Sequence, residues 1–458
     1  MAELPFHILI NRDCPEGQTE HLLCTALLRF IPGRREVYDA VWNDKSVIVK
    51  VFAHKINARR HLRREWKGLS LLQKRGLSSP LPLFYGKTEK GKWAVVVEKI
   101  ADSSTVLDTL QKTKDPVKKL NLMTLACNEL AKQHNKGVLQ KDLHLGNFLS
   151  DGDKIFALDV GQMRFLRNEV NRKSSISKLA MLISCMPGIN TETTTKICEM
   201  YLENRGWDVK KPDEIYFQKQ LIVHKKRILR KWLKKILRTN KRHLKIISNR
   251  YTAVFDRSFC QQPFDFIEQI DSLMDEGHIL KKGNTCYVSR LIWNGKDIVV
   301  KRYNHKGFIH SLRHTLKKSR ALRGWLHGHR LGVLGIATPR PLAYIEQRKG
   351  KLVWKSYLVT EYVEGHKLHD FLHNHDISKE QHSVVIRQIK KLIDKMGKYL
   401  ITHGDLKHTN ILITNNGPFL TDLDGMKAHR WNWTYRIRKV KDCAHLENKE
   451  VSTLYKNF

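Results

Sequence analysis

The sequence predicts an α+β protein built from two tandem domains of one bilobal design, each with a β-rich lobe followed by a helical lobe. Three observations predict it. The 458 residues exceed the roughly 250–300 at which a single core usually stops growing. One long residue pattern occurs twice, and β-rich segments precede helical ones in both copies. We place the domains at residues 1–255 and 256–458, and expect an abbreviated second helical lobe because little sequence follows Asp422.

The repeat is clearest around two aspartate-containing loops. The first copy reads Asp142-Leu-His-Leu-Gly-Asn147, followed by a turn and an apolar strand that ends at Asp159. The second copy, Asp405-Leu-Lys-His-Thr-Asn410, leads in the same way to Asp422. The spacing between these three polar residues is identical in the two copies, which makes duplication the economical explanation.

The predicted elements around these loops also keep one order. Each copy begins with a β-rich run that carries a lysine after an Asn-Asp or Asn-Gly turn, Lys50 in the first and Lys301 in the second. The predicted helices are Ala58–Lys74 and Ser311–Leu334, and the strands after them are Trp93–Ile100 and Leu352–Val363. A further helix then leads into each aspartate loop.

These residue types suit phosphoryl transfer, which requires phosphates to be held, charge to be neutralised and a hydroxyl to be positioned. A strand lysine, Lys50 or Lys301, can reach nucleotide phosphates, and Glu65 on the following helix is placed to fix Lys50. The loop aspartates Asp142 and Asp405 are candidates for the general base.

Magnesium prefers hard oxygen ligands, which a loop asparagine and a strand-end aspartate supply. The candidate ligands are Asn147 and Asp159 in the first copy and Asn410 and Asp422 in the second. Asp424 is either a second ligand or a solvated turn residue. A lone strand lysine is usually an exposed charge, but the complete ordered set indicates a kinase-type fold. The phosphate-covering turns are weaker evidence, because each has a single glycine that an ordinary turn also explains, Gly33 and Gly283.

The two loop segments, Gly137–Leu149 and His403–Leu412 with Thr421–Met426, resemble the lipopolysaccharide core kinases of Gram-negative bacteria. These heptose and Kdo kinases have a fold like that of protein kinases. The resemblance implies two protein-kinase-like bilobal domains that use ATP and Mg2+. It also implies a sugar hydroxyl of the inner core as acceptor, and work at the cytoplasmic face of the membrane.

Each copy departs from the family pattern at a different place. Lys141 precedes Asp142 where many kinases have arginine, whereas the second copy has Gly324 at the position of Glu65, which leaves Lys301 without an obvious partner. Lys407 stands where protein kinases often place a phosphate-contacting lysine. Either half is therefore a candidate catalyst, with the first slightly favoured.

The composition adds a strong positive charge. The 83 Lys and Arg residues against 45 Asp and Glu give a formal charge of +38, which attracts polyanions. Residues 225–245 hold eleven of these cations, and we predict a basic helix there. Two interpretations remain open: a helix packed on its lobe with its charges in water, or contact with anionic lipid or core phosphates.

The dispersed cysteines suggest neither zinc nor a disulfide framework, and the N-terminus does not read as a signal peptide. We therefore expect free thiols in a reducing cytosol, and the family resemblance implies a protein that is peripheral on the inner face of the cytoplasmic membrane. Its expected partners are the core glycolipid and an anionic membrane surface. No nucleic acid is expected, because the basic stretches lack a recognition module. The alternatives are a protein or small-molecule kinase, and a non-catalytic nucleotide-binding assembly protein at the membrane.

Overall fold

The computed structural model describes residues 3–14, 17–53, 56–186, 191–304, 318–350 and 352–446. The chain divides into two compact units, Met1–His224 and Lys225–Phe458. The mixed α+β composition predicted from the sequence is confirmed, because both units contain sheets and helices.

The first unit begins with a closed antiparallel barrel of six strands in the order β1-β2-β3-β4-β6-β5, with β5 paired to β1. Alternation along β4 places Val47, Val49 and Val51 in the barrel core. A helix, α1, lies between β4 and β5. The bounds are β1 (Phe6–Arg12), β2 (Thr19–Ile31), β3 (Arg35–Trp42), β4 (Lys45–Phe52), α1 (Ala58–Lys74), β5 (Pro82–Thr88) and β6 (Trp93–Glu98).

Short strands and four helices follow the barrel, and a sixth helix, α6, continues into the second unit. Asp115 caps the long helix α3 by accepting hydrogen bonds from two backbone N–H groups. The core between these elements includes Ala126, Leu130 and Phe148. The bounds are β7 (Ser104–Thr105), α2 (Val106–Lys112), α3 (Pro116–Asn135), β8 (Val138–Gln140), β9 (Phe148–Ser150), β10 (Ile155–Ala157), β11 (Met163–Phe165), α4 (Arg172–Ser184), α5 (Thr191–Asn204) and α6 (Lys211–Lys235).

A buried carboxyl in this core gives a pH-dependent prediction. Burial raises the pKa of Glu129 from 4.5 to about 7, although a hydrogen bond from Gln133 and the charge of Lys132 oppose the shift. The contribution of Glu129 to the free energy of unfolding is therefore complete below its ordinary pKa of 4.5 and is lost as the pH rises through about 7. Glu129→Gln should therefore be more stable than wild type at pH 8, by up to about 3 kcal/mol, and nearly equal at low pH. Urea unfolding at both pH values measures this; equal stabilities at pH 8 would contradict it.

The second unit is built on a seven-stranded sheet in the order β12-β13-β17-β18-β16-β15-β14. Its core contains Phe255, Ile298 and Val359, with helix α7 packed on one face through Phe266. The bounds are β12 (His243–Ile247), β13 (Tyr251–Asp256), α7 (Pro263–Glu276), β14 (His278–Lys282), β15 (Cys286–Trp293), β16 (Lys296–Asn304), α8 (Arg320–Leu334), β17 (Pro341–Lys349) and β18 (Leu352–Glu361).

The rest of the second unit is mainly helical, and its short strands frame the second aspartate loop. Ser378 and Gln381 form a reciprocal capping box at the start of the long helix α10. The bounds are β19 (His366–Lys367), α9 (Leu368–Leu372), α10 (Lys379–Lys398), β20 (Ile401–Thr402), β21 (Ile411–Thr414), β22 (Gly417–Leu420), β23 (Lys427–Ala428) and α11 (Asn432–Leu446).

The predicted basic helix at 225–245 is wrong in its second half. Helix α6 ends at Lys235, and β12 begins at His243 and pairs with β13, which pairs with β17. Residues 225–245 thus fall in the second unit, and a boundary after residue 255 would cut β13. Helical periodicity is a local signal, whereas strand pairing with distant residues decides the structure here.

Other predicted elements differ only at their ends. The helix predicted at Ser311–Leu334 is described from Arg320, where the Ser319 side chain caps α8; residues 311–317 lie outside the described part of the chain. The strands predicted to reach residues 100 and 363 end at Glu98 and Glu361. None of the described helices combines the length and apolar character needed to cross a bilayer.

Candidate active sites in the two units

The first unit contains a buried lysine–glutamate pair. The Nζ atom of Lys50, on β4, lies 2.5 Å from Oε1 of Glu65, on α1. The backbone N–H of Gly161 donates to the other carboxylate oxygen of Glu65 at 3.2 Å. Glu65 therefore connects the strand, the helix and the turn that follows Asp159. This is the contact expected if Glu65 orients Lys50 toward phosphates.

Asp159 is held by arginines that the sequence analysis did not select. Arg35 donates to both carboxylate oxygens, at 2.7 and 3.3 Å, and Arg29 lies 3.6 Å away. Burial alone would raise the pKa of Asp159, but the hydrogen bond and charge of Arg35 outweigh it and the pKa lies below its ordinary value. The available signal was the Arg34-Arg35 pair directly after the Gly33 turn.

The Asp142 loop is fixed through its asparagine. The Asn147 side-chain amide donates to the backbone carbonyl of Asp142 at 2.8 Å, and Asn147 is buried. The Asp142 carboxylate is more than half exposed, with His144 Nε2 4.0 Å away. Its backbone is held while the carboxylate faces solvent, as a group that must meet a substrate requires.

The Asp405 loop of the second unit repeats this arrangement. Asn410 donates to the backbone carbonyl of Asp405, again at 2.8 Å, and approaches its Oδ2 at 3.3 Å. Lys407 Nζ lies 2.8 Å from Oδ1 of Asp405, so a cation stands beside the candidate base. The side chains of Lys407 and Asp405 are about half exposed.

A buried carboxylate on α11 anchors this second loop. Asp442 accepts hydrogen bonds from the backbone N–H groups of His403, at 2.6 Å, and Gly404, at 2.7 Å. Burial lowers the pKa of His403, although its hydrogen bond with the Thr421 carbonyl, at 2.9 Å from Nε2, opposes the shift. Asp442 was missed because no fixed spacing connects it to the loop.

Lys301 does have a partner, contrary to the sequence analysis. Its Nζ lies 2.5 Å from Oδ1 of Asp422, and Arg320 Nε lies 2.7 Å from Oδ2 of Asp424. Burial opposes ionisation of Asp422, but Lys301 lowers its pKa below the ordinary value. Burial and the neighbouring charge of Asp422 raise the pKa of Asp424. Both carboxylates thus have a cationic partner, Asp422 from strand β16 and Asp424 from the start of helix α8.

A glutamate at Gly324, as at the matching position of the first unit, would require the Leu358 side chain to shift. A Cβ atom at Gly324 would lie 2.5 Å from Cδ2 of Leu358, closer than real contacts allow. Arg320, one helical turn earlier, instead points a charge at the site. The departure at Gly324 is therefore accompanied by a different ion-pair arrangement.

We expect Gly324→Ala to destabilise the second unit by at most about 2 kcal/mol, because overpacking of Leu358 costs about 1–3 kcal/mol and alanine is about 1 kcal/mol more favourable than glycine within a helix. In a Leu358→Ala background the same substitution should cost much less. Urea unfolding of the four variants gives the coupling. Equal costs in both backgrounds would contradict the packing explanation.

The donor sets are compatible with magnesium. Each unit offers an asparagine amide oxygen and an aspartate carboxylate, hard oxygen ligands of the kind that hold Mg2+ together with substrate phosphates. Asn147 has its amide nitrogen committed to the loop, as has Asn410, which leaves the oxygens as acceptors. Within the described residues, no three His, Cys, Asp or Glu side chains form a metal-binding group. A metal here would therefore rely on phosphate and water ligands as well.

The candidate phosphate-covering turns connect neighbouring strands. Gly33, with φ of +66°, turns the chain between β2 and β3, and Gly283 lies between β14 and β15. The Gly33 turn leads directly into Arg35, so this hairpin brings a cation to the Asp159 side of the first site.

Comparison with known proteins supports a kinase-type interpretation of the second half of the chain. Residues 268–452 match the model of the Lipopolysaccharide kinase (Kdo/WaaP) family, which confirms the resemblance for the second half of the chain. No curated protein matches the chain. Among solved structures, the chain is similar to vaccinia related kinase 3, at 11% identity and a TM-score of 0.31, over 48% of this chain and 85% of that one.

Proposed function

We propose that the protein is an ATP-dependent kinase that phosphorylates a sugar hydroxyl of the lipopolysaccharide inner core. The observation that carries the proposal is the loop built in the same way in both units. In each, an asparagine side chain donates to the backbone carbonyl of the loop aspartate at 2.8 Å. The aspartate that follows has a left-handed backbone in both units, at Asp159 and Asp422. The family match over the second half supports both the reaction class and the acceptor.

We further propose that the units are tandem protein-kinase-like domains, each bilobal, the second with an abbreviated helical lobe. The β-barrel and the seven-stranded sheet would be the small lobes, since each carries the strand lysine. The helices that follow would form the large lobes.

We assign transfer to the second unit, because the family match lies there. This differs from the slight preference for the first half in the sequence analysis. Asp405 would accept the proton of the acceptor hydroxyl, and Lys407 would hold a phosphate oxygen beside it. Lys301 would leave Asp422 for the nucleotide phosphates. Bound Mg2+, held by Asn410 and Asp422, would neutralise phosphate charge.

The first unit would bind a nucleotide or the glycolipid. Lys50 and Glu65 are already paired there, which favours phosphate binding. The contact between Arg35 and Asp159 opposes metal binding, because the arginine donates to both carboxylate oxygens that a metal ion would use. Asn147, Asp159 and Asp142 remain candidates for a second metal site and a second base.

The proposed acceptor and the proposed cellular location rest on the net charge of the chain and on the family match. A chain with formal charge +38 is attracted to phosphorylated glycolipids and to anionic membranes. We propose that the protein works from the cytoplasm, peripherally on the inner face of the cytoplasmic membrane.

The experiment that tests the function offers several acceptors to the purified protein with ATP and Mg2+. Dephosphorylated core glycolipid, a generic protein substrate and free core sugars are compared by mass spectrometry. Phosphate on the glycolipid alone supports the proposal. Phosphate on protein or on free sugars alone favours the protein-kinase or small-molecule alternative. Nucleotide binding without transfer to any acceptor would favour the non-catalytic assembly protein.

A further inference from the structure

Helix α11 carries an apolar stripe that faces solvent. Trp433, Ile437 and Val440 are 64%, 61% and 69% exposed, and their spacing places them on one helical face. The opposite face is buried through Tyr435 and Leu446. Burying one apolar face explains the helix, so a second, exposed apolar face needs a different explanation.

Cations surround this stripe. From Arg430 to Lys441 the sequence contains no acidic residue and five basic ones: Arg430, Arg436, Arg438, Lys439 and Lys441. A cavity of about 410 Å³ between α10 and α11 is lined mainly by apolar side chains, with the cations Arg387, Lys390 and Lys439 and one carboxylate, Asp442. The cavity therefore shows that exposed cations of α10 lie beside those of α11.

The basic end of helix α6 differs from α11 because its apolar side chains are packed and not exposed. Leu229 and Ile236 are buried, and Trp232, Leu233 and Leu237 pack against the cores of the second unit. Its cations Arg230, Lys231, Lys234 and Lys235 are exposed. Of the two interpretations of this segment, its apolar residues support packing within the unit with charges in water.

We propose that α11 docks on the surface of an anionic phospholipid bilayer. Interfacial helices combine an apolar face that enters the headgroup region with lysine and arginine that bind lipid phosphates, and tryptophan prefers this depth. Trp433, Ile437 and Val440 supply the apolar face, and the exposed Arg436 and Lys441 flank it on its two sides. The surrounding charge favours an anionic lipid over a second copy of this cationic chain.

This inference deepens the proposed function, because a bilayer-bound second unit would meet the head group of a membrane glycolipid. Its experiment uses neither ATP nor glycolipid. Failure of vesicle binding and failure of phosphate transfer are therefore separate results.

The test is sedimentation of the full chain with vesicles of phosphatidylcholine, with and without phosphatidylglycerol. Wild type should bind the anionic vesicles at least about tenfold more strongly than the neutral ones. The triple variant Trp433→Ser/Ile437→Ser/Val440→Ser should lose about tenfold or more of the anionic-vesicle affinity. The matched control Ile247→Ser/Ile292→Ser removes apolar side chains that are 69% and 73% exposed elsewhere in the unit, and should bind as wild type does.

Thermal unfolding of each variant checks that the fold is kept. Equal binding by the triple variant and wild type would overturn the proposal, as would a wild type that binds neither vesicle. A triple variant with unchanged vesicle binding but altered self-association, measured by light scattering, would instead assign the stripe to a contact between copies.

Discussion

Replacing Asp405 by asparagine should lower the rate of phosphate transfer by about 10²–10⁴-fold, the range that a positioned general base contributes. Asparagine keeps one oxygen that can accept from Lys407, and Asn410 keeps its hydrogen bond to the backbone carbonyl of residue 405, so the loop should survive while the proton acceptor is lost. Nucleotide affinity should change little, because the Asp405 carboxylate contacts Lys407 and Asn410, whereas the strand lysine Lys301 contacts Asp422. Steady-state kinetics with varied ATP separates kcat from KM.

The matched control is Asp142→Asn, the same change at the same position of the first loop. If the second unit carries the transfer, this variant should keep kcat within a few-fold of wild type. Loss in Asp142→Asn with full activity in Asp405→Asn would place catalysis in the first unit. Loss of separate phosphates in the two variants would show two working kinases.

Replacing Asp442 by alanine should have the largest effect on stability. The substitution leaves the buried backbone N–H group of His403 without an acceptor, which costs about 1–3 kcal/mol, whereas the N–H group of the exposed Gly404 can bind water instead. We expect a loss of about 1–4 kcal/mol in the free energy of unfolding of the second unit, together with a strong loss of transfer because the Asp405 loop loses its anchor.

Asp442→Asn is the control, because it keeps one acceptor oxygen and should cost clearly less than the alanine variant. Urea unfolding and kcat are measured for both. An alanine variant with wild-type stability would contradict the anchoring role of Asp442. If stability falls but kcat per folded molecule is unchanged, Asp442 supports the fold and not the catalytic geometry.

The candidate site could be predicted from the sequence wherever it depends on short, fixed spacing. The asparagine–aspartate loops are local motifs, and the Lys50–Glu65 contact follows from a strand and the next helix. The structure places these residues together because neighbouring elements in the chain pack on each other. The α+β class was predictable for the same reason, as periodicity identifies strands and helices one at a time.

The remaining contacts join residues far apart in the chain. Arg35 meets Asp159 across 124 positions and Arg320 meets Asp424 across 104, and neither pairing follows from a motif. Asp442 reaches the His403 backbone only because α11 packs against the loop. The predicted basic helix was carried past its end at Lys235 and into the first residues of β12, because its cations continue to Lys245, whereas the hairpin of β12 and β13 joins the sheet through the distant strand β17.

The central claim is that the γ-phosphate of ATP moves to a sugar hydroxyl of the core glycolipid at the Asp405 loop. The most direct measurement is transfer from ATP labelled with heavy oxygen in its γ-phosphate, read by mass spectrometry of dephosphorylated core glycolipid. We predict a phosphorylated glycolipid that carries all the transferred label with wild type and with Asp142→Asn, and a rate of labelling at least about a hundredfold lower with Asp405→Asn. Labelled product from Asp405→Asn at the wild-type rate, or no product from wild type, would contradict the account.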